Sequence, residues 1–170
     1  MSVIGRGLGL WLTGISLLFL SACATRAPVV AGPDALVWSG RMALHIASTP
    51  PQSLNAGFEL QSQRQGGQLL LFTPLGSTLA KLQWSPEQAR LEQGGQVWQD
   101  RSLESLMVRL TGTALPMAAL IDWLQARPTQ VEGWQADLSH ISQGRLWVYS
   151  QAASAAAAQP QVNLRLILEP

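Results

Sequence analysis

Few side chains in this 170-residue chain have the chemistry of catalysis or metal binding. The two histidines, His45 and His140, have no cysteine, aspartate or glutamate at a spacing typical of a metal site. Acidic residues occur singly, and no glycine-rich loop leads from a strand into a helix as phosphate-binding loops do. A hydrolase would need an activated serine or a carboxylate pair, and neither pattern is found. The sequence therefore predicts a protein that is not an enzyme and that uses no metal or cofactor.

Cys23 is the one residue whose position indicates a specific reaction, and it is the only cysteine in the chain. It follows an apolar run from Leu8 to Leu20, which is typical of an export signal and too short for a confident membrane-spanning helix. The segment before the cysteine, Leu20-Ser-Ala-Cys23, resembles the bacterial lipobox. That motif implies that the signal is cut just before Cys23 and that the thiol receives a diacylglycerol. Ala24 follows, where an aspartate would favour the inner membrane, so the resemblance implies an outer-membrane anchor facing the periplasm.

Three segments follow from this interpretation. Residues 1–22 are predicted to be a signal peptide that is removed. Residues 23–36 are predicted to be the lipidated N-terminus and a tether, because this stretch is rich in proline, alanine and glycine. Residues 37–170 are predicted to be one folded domain, of a size that can form a usable core.

The composition is unusual in its shortage of charge. The chain has 11 Lys plus Arg and 10 Asp plus Glu, so a nucleic-acid partner is not expected. Charged residues make up only 12%, and there are seven tryptophans. Both features favour an apolar ligand or surface, although tryptophans also serve as ordinary core residues.

Hydrophobic periodicity predicts a mainly β domain with helices in the middle. Period-two alternation begins at Trp38 and predicts nine strands, with Gly66-Gly67 and Gly94-Gly95 as turns. Apolar residues at helical spacing predict one helix capped by Asp100 or Ser102 and ended by Gly112, and a second that begins at Pro116. The alanine-rich tract 152–158 is interpreted as a loop.

The hairpin around Leu75 is the stretch on which the organisation of the chain depends, because it predicts two apolar strands joined by a tip. Thr73-Pro74-Leu75-Gly76 predicts a type I turn closed by a left-handed Gly76, as in the bulged three-residue hairpin loop. Leu75 then points outward. It is either an ordinary exposed leucine or a deliberate apolar projection.

Several motifs together resemble the LolB family of outer-membrane lipoprotein receptors. They are Trp38-Ser-Gly-Arg-Met-Ala-Leu44, Gly67-Gln-Leu-Leu-Leu-Phe-Thr-Pro-Leu-Gly-Ser-Thr78, Leu110-Thr-Gly-Thr-Ala-Leu-Pro116 and Leu120-Ile-Asp-Trp-Leu124. One departure is Ala126, which stands where a glycine is expected.

The resemblance implies a half-open antiparallel β-barrel with two or three covering helices and an apolar cavity. It implies a monomer that receives lipoproteins from a periplasmic carrier of the LolA type and places them in the inner leaflet of the outer membrane. Pro74, Leu75 and Gly76 would form the membrane-insertion tip. The acyl chains would contact inward-facing residues, for which the candidates are Phe58, Leu60, Leu69, Leu71, Leu82, Trp84 and Trp123.

Two other interpretations stay open at this point. The same alternation of inward residues suits a solid core, which would make the protein a structural envelope lipoprotein that acts as a scaffold. A periplasmic hydrolase of a lipid substrate is the other, and it would be revealed by turnover of a lipid ester.

Overall fold

A computed structural model describes residues 35–150 and 160–170. Nine strands form one sheet with the spatial order β6-β5-β4-β3-β2-β1-β9-β8-β7, and all neighbouring strands are antiparallel. The strands are β1 (Leu36–Ala47), β2 (Gln52–Gln63), β3 (Gly66–Phe72), β4 (Thr78–Ser85), β5 (Gln88–Gln93), β6 (Gln96–Asp100), β7 (Trp134–Asp137), β8 (Arg145–Ser150) and β9 (Gln161–Leu168). The sheet is not closed, because β6 and β7 are its two free edges in the described part of the chain. This open sheet is consistent with the predicted half-open barrel.

The two ends of the domain meet in the centre of the sheet. β1 pairs with β2 on one side and with β9 on the other, so that Met42 lies opposite both Ala56 and Leu166. Alternate residues of β9 are buried, among them Val162, Leu164 and Leu166. This alternation defines an inner face, which carries the core, and an outer face.

The predicted turn at Gly66-Gly67 is wrong. Both glycines belong to β3, and the turn consists of Arg64 and Gln65. Glycine is needed there because a Cβ on Gly66 would lie 2.3 Å from the carbonyl oxygen of Trp84, and one on Gly67 would lie 2.4 Å from the Trp84 ring. The pair therefore permits a close approach between β3 and β4 rather than a reversal of the chain.

The predicted helices are confirmed. The first, α1 (Leu103–Thr111), begins at Ser102, whose hydroxyl accepts a hydrogen bond from the backbone N–H of Ser105 at 3.1 Å. Gly112, with φ of 77°, ends it in the left-handed conformation. The second, α2 (Met117–Leu124), follows Pro116, and a short 3-10 helix (Ile141–Gln143) precedes β8.

The helices cover two different parts of the inner face. Trp123 and Leu124 of α2 pack in the larger core cluster, whose buried strand residues are Phe58, Leu60, Leu146, Val148, Leu164 and Leu166. Leu106 of α1 packs with Leu82 and Ala89 in a smaller cluster. Arg109 fixes α1 to the edge strand, because its guanidinium donates a hydrogen bond to the carbonyl of Gln99 at 3.0 Å.

Two predictions concern residues outside the described part of the chain. They are the lipidated Cys23 with its signal and tether, and the loop formed by the alanine-rich tract 152–158.

Candidate functional site

The tip of the β3–β4 hairpin has the predicted geometry. Gly76 donates its N–H to the Thr73 carbonyl, and Thr73 donates its own to the Ser77 carbonyl, each at 2.9 Å. Gly76 has φ of 81°, whereas Leu75 is not among the residues with positive φ. These bonds close a three-residue loop, Pro74 to Gly76, of the bulged type.

Leu75 is the most exposed large apolar side chain in the described residues, with 94% of its surface accessible. Pro74 and Gly76 on either side are also exposed, and a Cβ added to Gly76 would meet nothing within 4 Å. An isolated exposed leucine is common on protein surfaces. Here, however, the rigid proline and the left-handed glycine hold it away from its own domain.

A mostly apolar cleft of about 350 Å³ lies between the inner face of the sheet and α1. Strands β1 to β6 all contribute to it, and Met107, Leu110 and Leu115 line its helical side. A second, smaller space of about 50 Å³ lies next to it under α2. The two share Met42, Leu44, Leu69 and Leu115 as lining residues.

The structure separates the seven candidate acyl-contacting residues into two groups. Leu69, Leu71 and Leu82 line the larger cleft, and Leu69 and Trp123 line the smaller space. Phe58 and Leu60 are buried in the core cluster beneath α2, and Trp84 packs against both core clusters.

The seven candidates implied by the family resemblance do not include a further group of residues that line the larger cleft. They are Met42, Leu44, Ile46, Leu54, Ala80, Leu91, Trp98, Met107, Leu110 and Leu115. Those on β1 and α1 carried a signal, because their alternation and helical spacing already marked an inner face. Leu54 has no such signal, because it follows the Pro50-Pro51 break, and the alternation in the sequence predicts a second strand only from Phe58.

Trp123 is held in place by one specific bond. Its indole Nε1–H donates to the carbonyl of Thr129 at 2.8 Å, and only 2% of its surface is accessible. The ring thus has a polar partner on one side and an apolar environment on the other, as buried tryptophans usually require.

Two titratable side chains of the described residues have hydrogen-bond partners close in the sequence. His45 is exposed, and its ring Nδ1 lies 2.9 Å from the Ser53 hydroxyl. The hydroxyl of Ser139 donates a hydrogen bond to the Asp137 carboxylate, and so does the backbone N–H of Ser139. Both bonds lower the pKa of that carboxyl group, and the hydroxyl has the larger effect.

No group of three or more potential metal ligands occurs among residues 35–150 and 160–170. Neither described helix has the length and apolar character needed to cross a bilayer.

The fold and this site define a class: a small β domain whose open antiparallel sheet and two helices line a mostly apolar cleft, and whose β3–β4 hairpin ends in an exposed leucine. The family model described as "Outer membrane lipoprotein LolB" matches residues 36–164. The chain therefore belongs to the LolB family.

Individual relatives agree with the family model. The chain is 33% identical to the outer-membrane lipoprotein LolB of Cupriavidus taiwanensis over 153 residues, which is 86% of this chain and 74% of that protein. It is 33% identical to the protein of the same name from Cupriavidus necator, covering 86% and 76% of the two chains. The corresponding protein of Ralstonia nicotianae is 32% identical over 154 residues, covering 85% and 73%.

Proposed function

We propose that this protein is an outer-membrane lipoprotein that receives other lipoproteins and inserts them into the inner leaflet of the outer membrane. It takes its cargo from a soluble periplasmic carrier of the LolA type, holds the cargo's acyl chains in the apolar cleft and performs no chemical reaction on them. Membership of the LolB family supports this function, and the cleft between the sheet and α1 is the observation that carries it.

Acyl chains need such a cleft because their exposure to water is very unfavourable. Each buried CH₂ group contributes about 0.8 kcal/mol, which amounts to about 13 kcal/mol for a chain of sixteen carbons. A lipoprotein with several chains therefore needs shelter at every stage between two membranes. The leucines and methionines of the cleft provide it, and the chain has no nucleotide-binding motif. Transfer from carrier to receptor to bilayer then follows increasing affinity for the acyl chains.

Cys23 supplies the anchor in this proposal. Stable attachment to a bilayer requires more than one acyl chain, so we expect a diacylglycerol on the thiol and a third chain on the new amino terminus. Mass spectrometry of the mature protein tests this directly. An unmodified cysteine, or a mature protein that still has residues 1–22, would contradict the lipoprotein interpretation.

The cleft is tested with a carrier loaded with a lipoprotein. The full mature chain is anchored in vesicles, and the cargo that leaves the carrier is measured with time. Leu71→Gln places an amide in the cleft and is expected to slow acceptance of the cargo, because a buried amide without a partner is unfavourable. Leu79→Gln is the matched control, since Leu79 is also half-buried on this hairpin but belongs to the opposite face of the sheet.

Each outcome of this experiment points to one function. Cargo accepted by the unaltered chain and by Leu79→Gln, but poorly by Leu71→Gln, supports the receptor. If the carrier keeps its cargo in every case, the scaffold interpretation is favoured. Release of free fatty acid during the assay would instead indicate a hydrolase.

A further inference from the structure

A groove of about 530 Å³ lies on the outer face of the sheet, beside the tip. Met42 also lines the apolar cleft of the inner face, but the arginines and the tip residues that form this groove do not. Thr73 and Pro74 of the tip form one wall, and Arg165 and Ile167 of β9 form another. The same loop that projects Leu75 therefore also borders this groove.

Small residues leave the groove open. Gly57 lies opposite Arg41 in the pairing of β1 with β2, and Ala43 lies opposite Asn55 in the next row. Larger side chains at Gly57 and Ala43 would fill the floor between the tip and β9. The groove therefore has room for a group as large as a lipid headgroup.

Two arginines give the groove its charge. On the other side of β1, Arg41 lies opposite Ile167, and Ala43 lies opposite Arg165, so the two arginines are diagonal neighbours on one face. Neither forms an ion pair with any described residue. Glu169 is the single acidic residue that lines the groove, which leaves one positive charge in excess.

Apolar and aromatic side chains continue this surface beyond the arginines. Ile167 is 56% exposed, and Trp147 of β8 is 42% exposed. The Arg165 guanidinium lies 6.0 Å from the centre of a Trp147 ring. Arginine and tryptophan next to exposed aliphatic residues are typical of surfaces that lie at the level of lipid headgroups.

We propose that this groove binds the phosphate of a bilayer phospholipid while the tip is in the membrane. The inference rests on the proposed function, because insertion of Leu75 is what brings the groove to the bilayer surface. Guanidinium groups suit this ligand, since their N–H donors are arranged to bind two phosphate oxygens at once. Leu75 then supplies apolar burial, and Arg41 and Arg165 set how deeply and in which orientation the tip enters.

The test follows the tip with a dye. Ser77→Cys introduces an exposed thiol two residues after Leu75, and Cys23 does not compete for the dye when its thiol carries lipid. The labelled full chain is anchored in two kinds of vesicle. One contains equal parts of phosphatidylcholine and phosphatidylglycerol, and the other contains digalactosyldiacylglycerol, which forms a bilayer without phosphate. Dye emission reports the ratio of inserted to free tips.

We expect Arg41→Gln and Arg165→Gln each to lower this ratio about fivefold on the phospholipid vesicles and to leave it unchanged on the galactolipid, since one basic residue near such a surface contributes about that factor. Arg101→Gln is the matched control, because it removes the same charge from an exposed position between β6 and α1. It should change neither ratio.

Other patterns would overturn the inference, and each is distinct. An equal fall with Arg101→Gln would mean that only overall charge matters. No fall with either groove variant, while the dye still enters the bilayer, would mean that the tip works without the groove. If the groove variants slow cargo transfer from the carrier but leave the dye unchanged, the groove serves the carrier instead. A dye that enters no bilayer in any variant would refute the role of Leu75, and the inference with it.

Discussion

Leu75→Glu is the substitution that best separates the two interpretations of the hairpin tip. In the folded domain Leu75 contacts almost nothing, since 94% of the residue's surface is accessible to solvent. Exposed substitutions of this kind usually change the free energy of unfolding by less than about 0.5 kcal/mol. Glutamate also accepts the backbone conformation, because φ at residue 75 is not positive. The variant should therefore fold normally.

The effect on the membrane step should be much larger. Moving one leucine side chain from water into the acyl region contributes on the order of 1.5 to 3 kcal/mol, and a carboxylate loses all of this. Since 1.4 kcal/mol corresponds to a factor of ten, the equilibrium constant for insertion of the tip into the bilayer should fall by about 10- to 150-fold. The cleft is on the inner face of the sheet, and Leu75 is not among its lining residues. Acceptance of cargo should therefore be unchanged.

The assay must measure these two steps apart. Loss of cargo from the loaded carrier reports acceptance, and the amount of cargo that becomes resistant to extraction from outer-membrane vesicles reports insertion. We expect Leu75→Glu to accept at the normal rate and to insert poorly, and Leu75→Ile or Leu75→Phe to do both. Val108→Glu on α1 is the matched control, because Val108 is another exposed apolar residue, remote in sequence from the tip.

Three results would refute this reasoning. If Leu75→Glu delivers cargo at the normal rate, Leu75 is an ordinary exposed leucine. If it fails already at acceptance, the tip contacts the carrier rather than the bilayer. If Val108→Glu inserts as poorly as Leu75→Glu, the defect comes from added negative charge and not from the tip.

The remaining predictions concern ligand binding, backbone strain and protonation. A fatty-acyl ligand should shift tryptophan emission in a saturable way, and Trp123→Phe should reduce the change, because Trp123 lines the space under α2. Ala126→Gly should raise the free energy of unfolding by about 0.5 to 1 kcal/mol in denaturant melts, because Ala126 has φ of 58° and relief of that conformation exceeds the entropy lost with glycine. Ala118→Gly, in a helix, should lower it by about 1 kcal/mol. Ser139→Ala should raise the pKa of Asp137 in an NMR titration. Because folding lowers this pKa, ionised Asp137 stabilises the fold at pH values above its pKa in the unfolded chain. This stabilisation is lost as the pH falls through the pKa of the folded state.

The strands and helices were largely predictable, because period-two and helical spacing are local properties of the sequence. All nine predicted strands are present, and β2 is longer than predicted because it begins at Gln52, directly after Pro50-Pro51, rather than at Phe58. The expectation of glycine at position 126 also has a local reason, since its φ is positive. The sequence does not reveal the role of Gly66 and Gly67, because a close approach to Trp84 and a turn both favour glycine, and only the distances between strands distinguish the two.

The division of the inner face into core and cleft was not predictable. Phe58 and Leu71 lie opposite each other in the pairing of β2 with β3, yet Phe58 is in the core and Leu71 lines the cleft. Both are apolar, inward and on neighbouring strands. What separates them is the position of the two helices over the sheet, and this depends on contacts between residues far apart in the sequence.

Under the proposed function, that division would also let one small domain both hold and release an acyl chain. A sheet filled along its whole length would hold nothing, and one left open along its whole length would lack the buried contacts that stabilise it. Here α2 closes one part of the inner face and α1 stands over the other, with Met42 and Leu69 lining both the larger cleft and the small space beside it. Methionine has an unbranched, flexible side chain, so a change of rotamer at Met42 is the simplest way to join the two spaces when a longer chain enters. Under the proposed function, the same side chain would fill the space again when the chain leaves. Holding would then depend on contacts that are remade rather than lost, and the receptor's affinity for an acyl chain would stay below that of the bilayer.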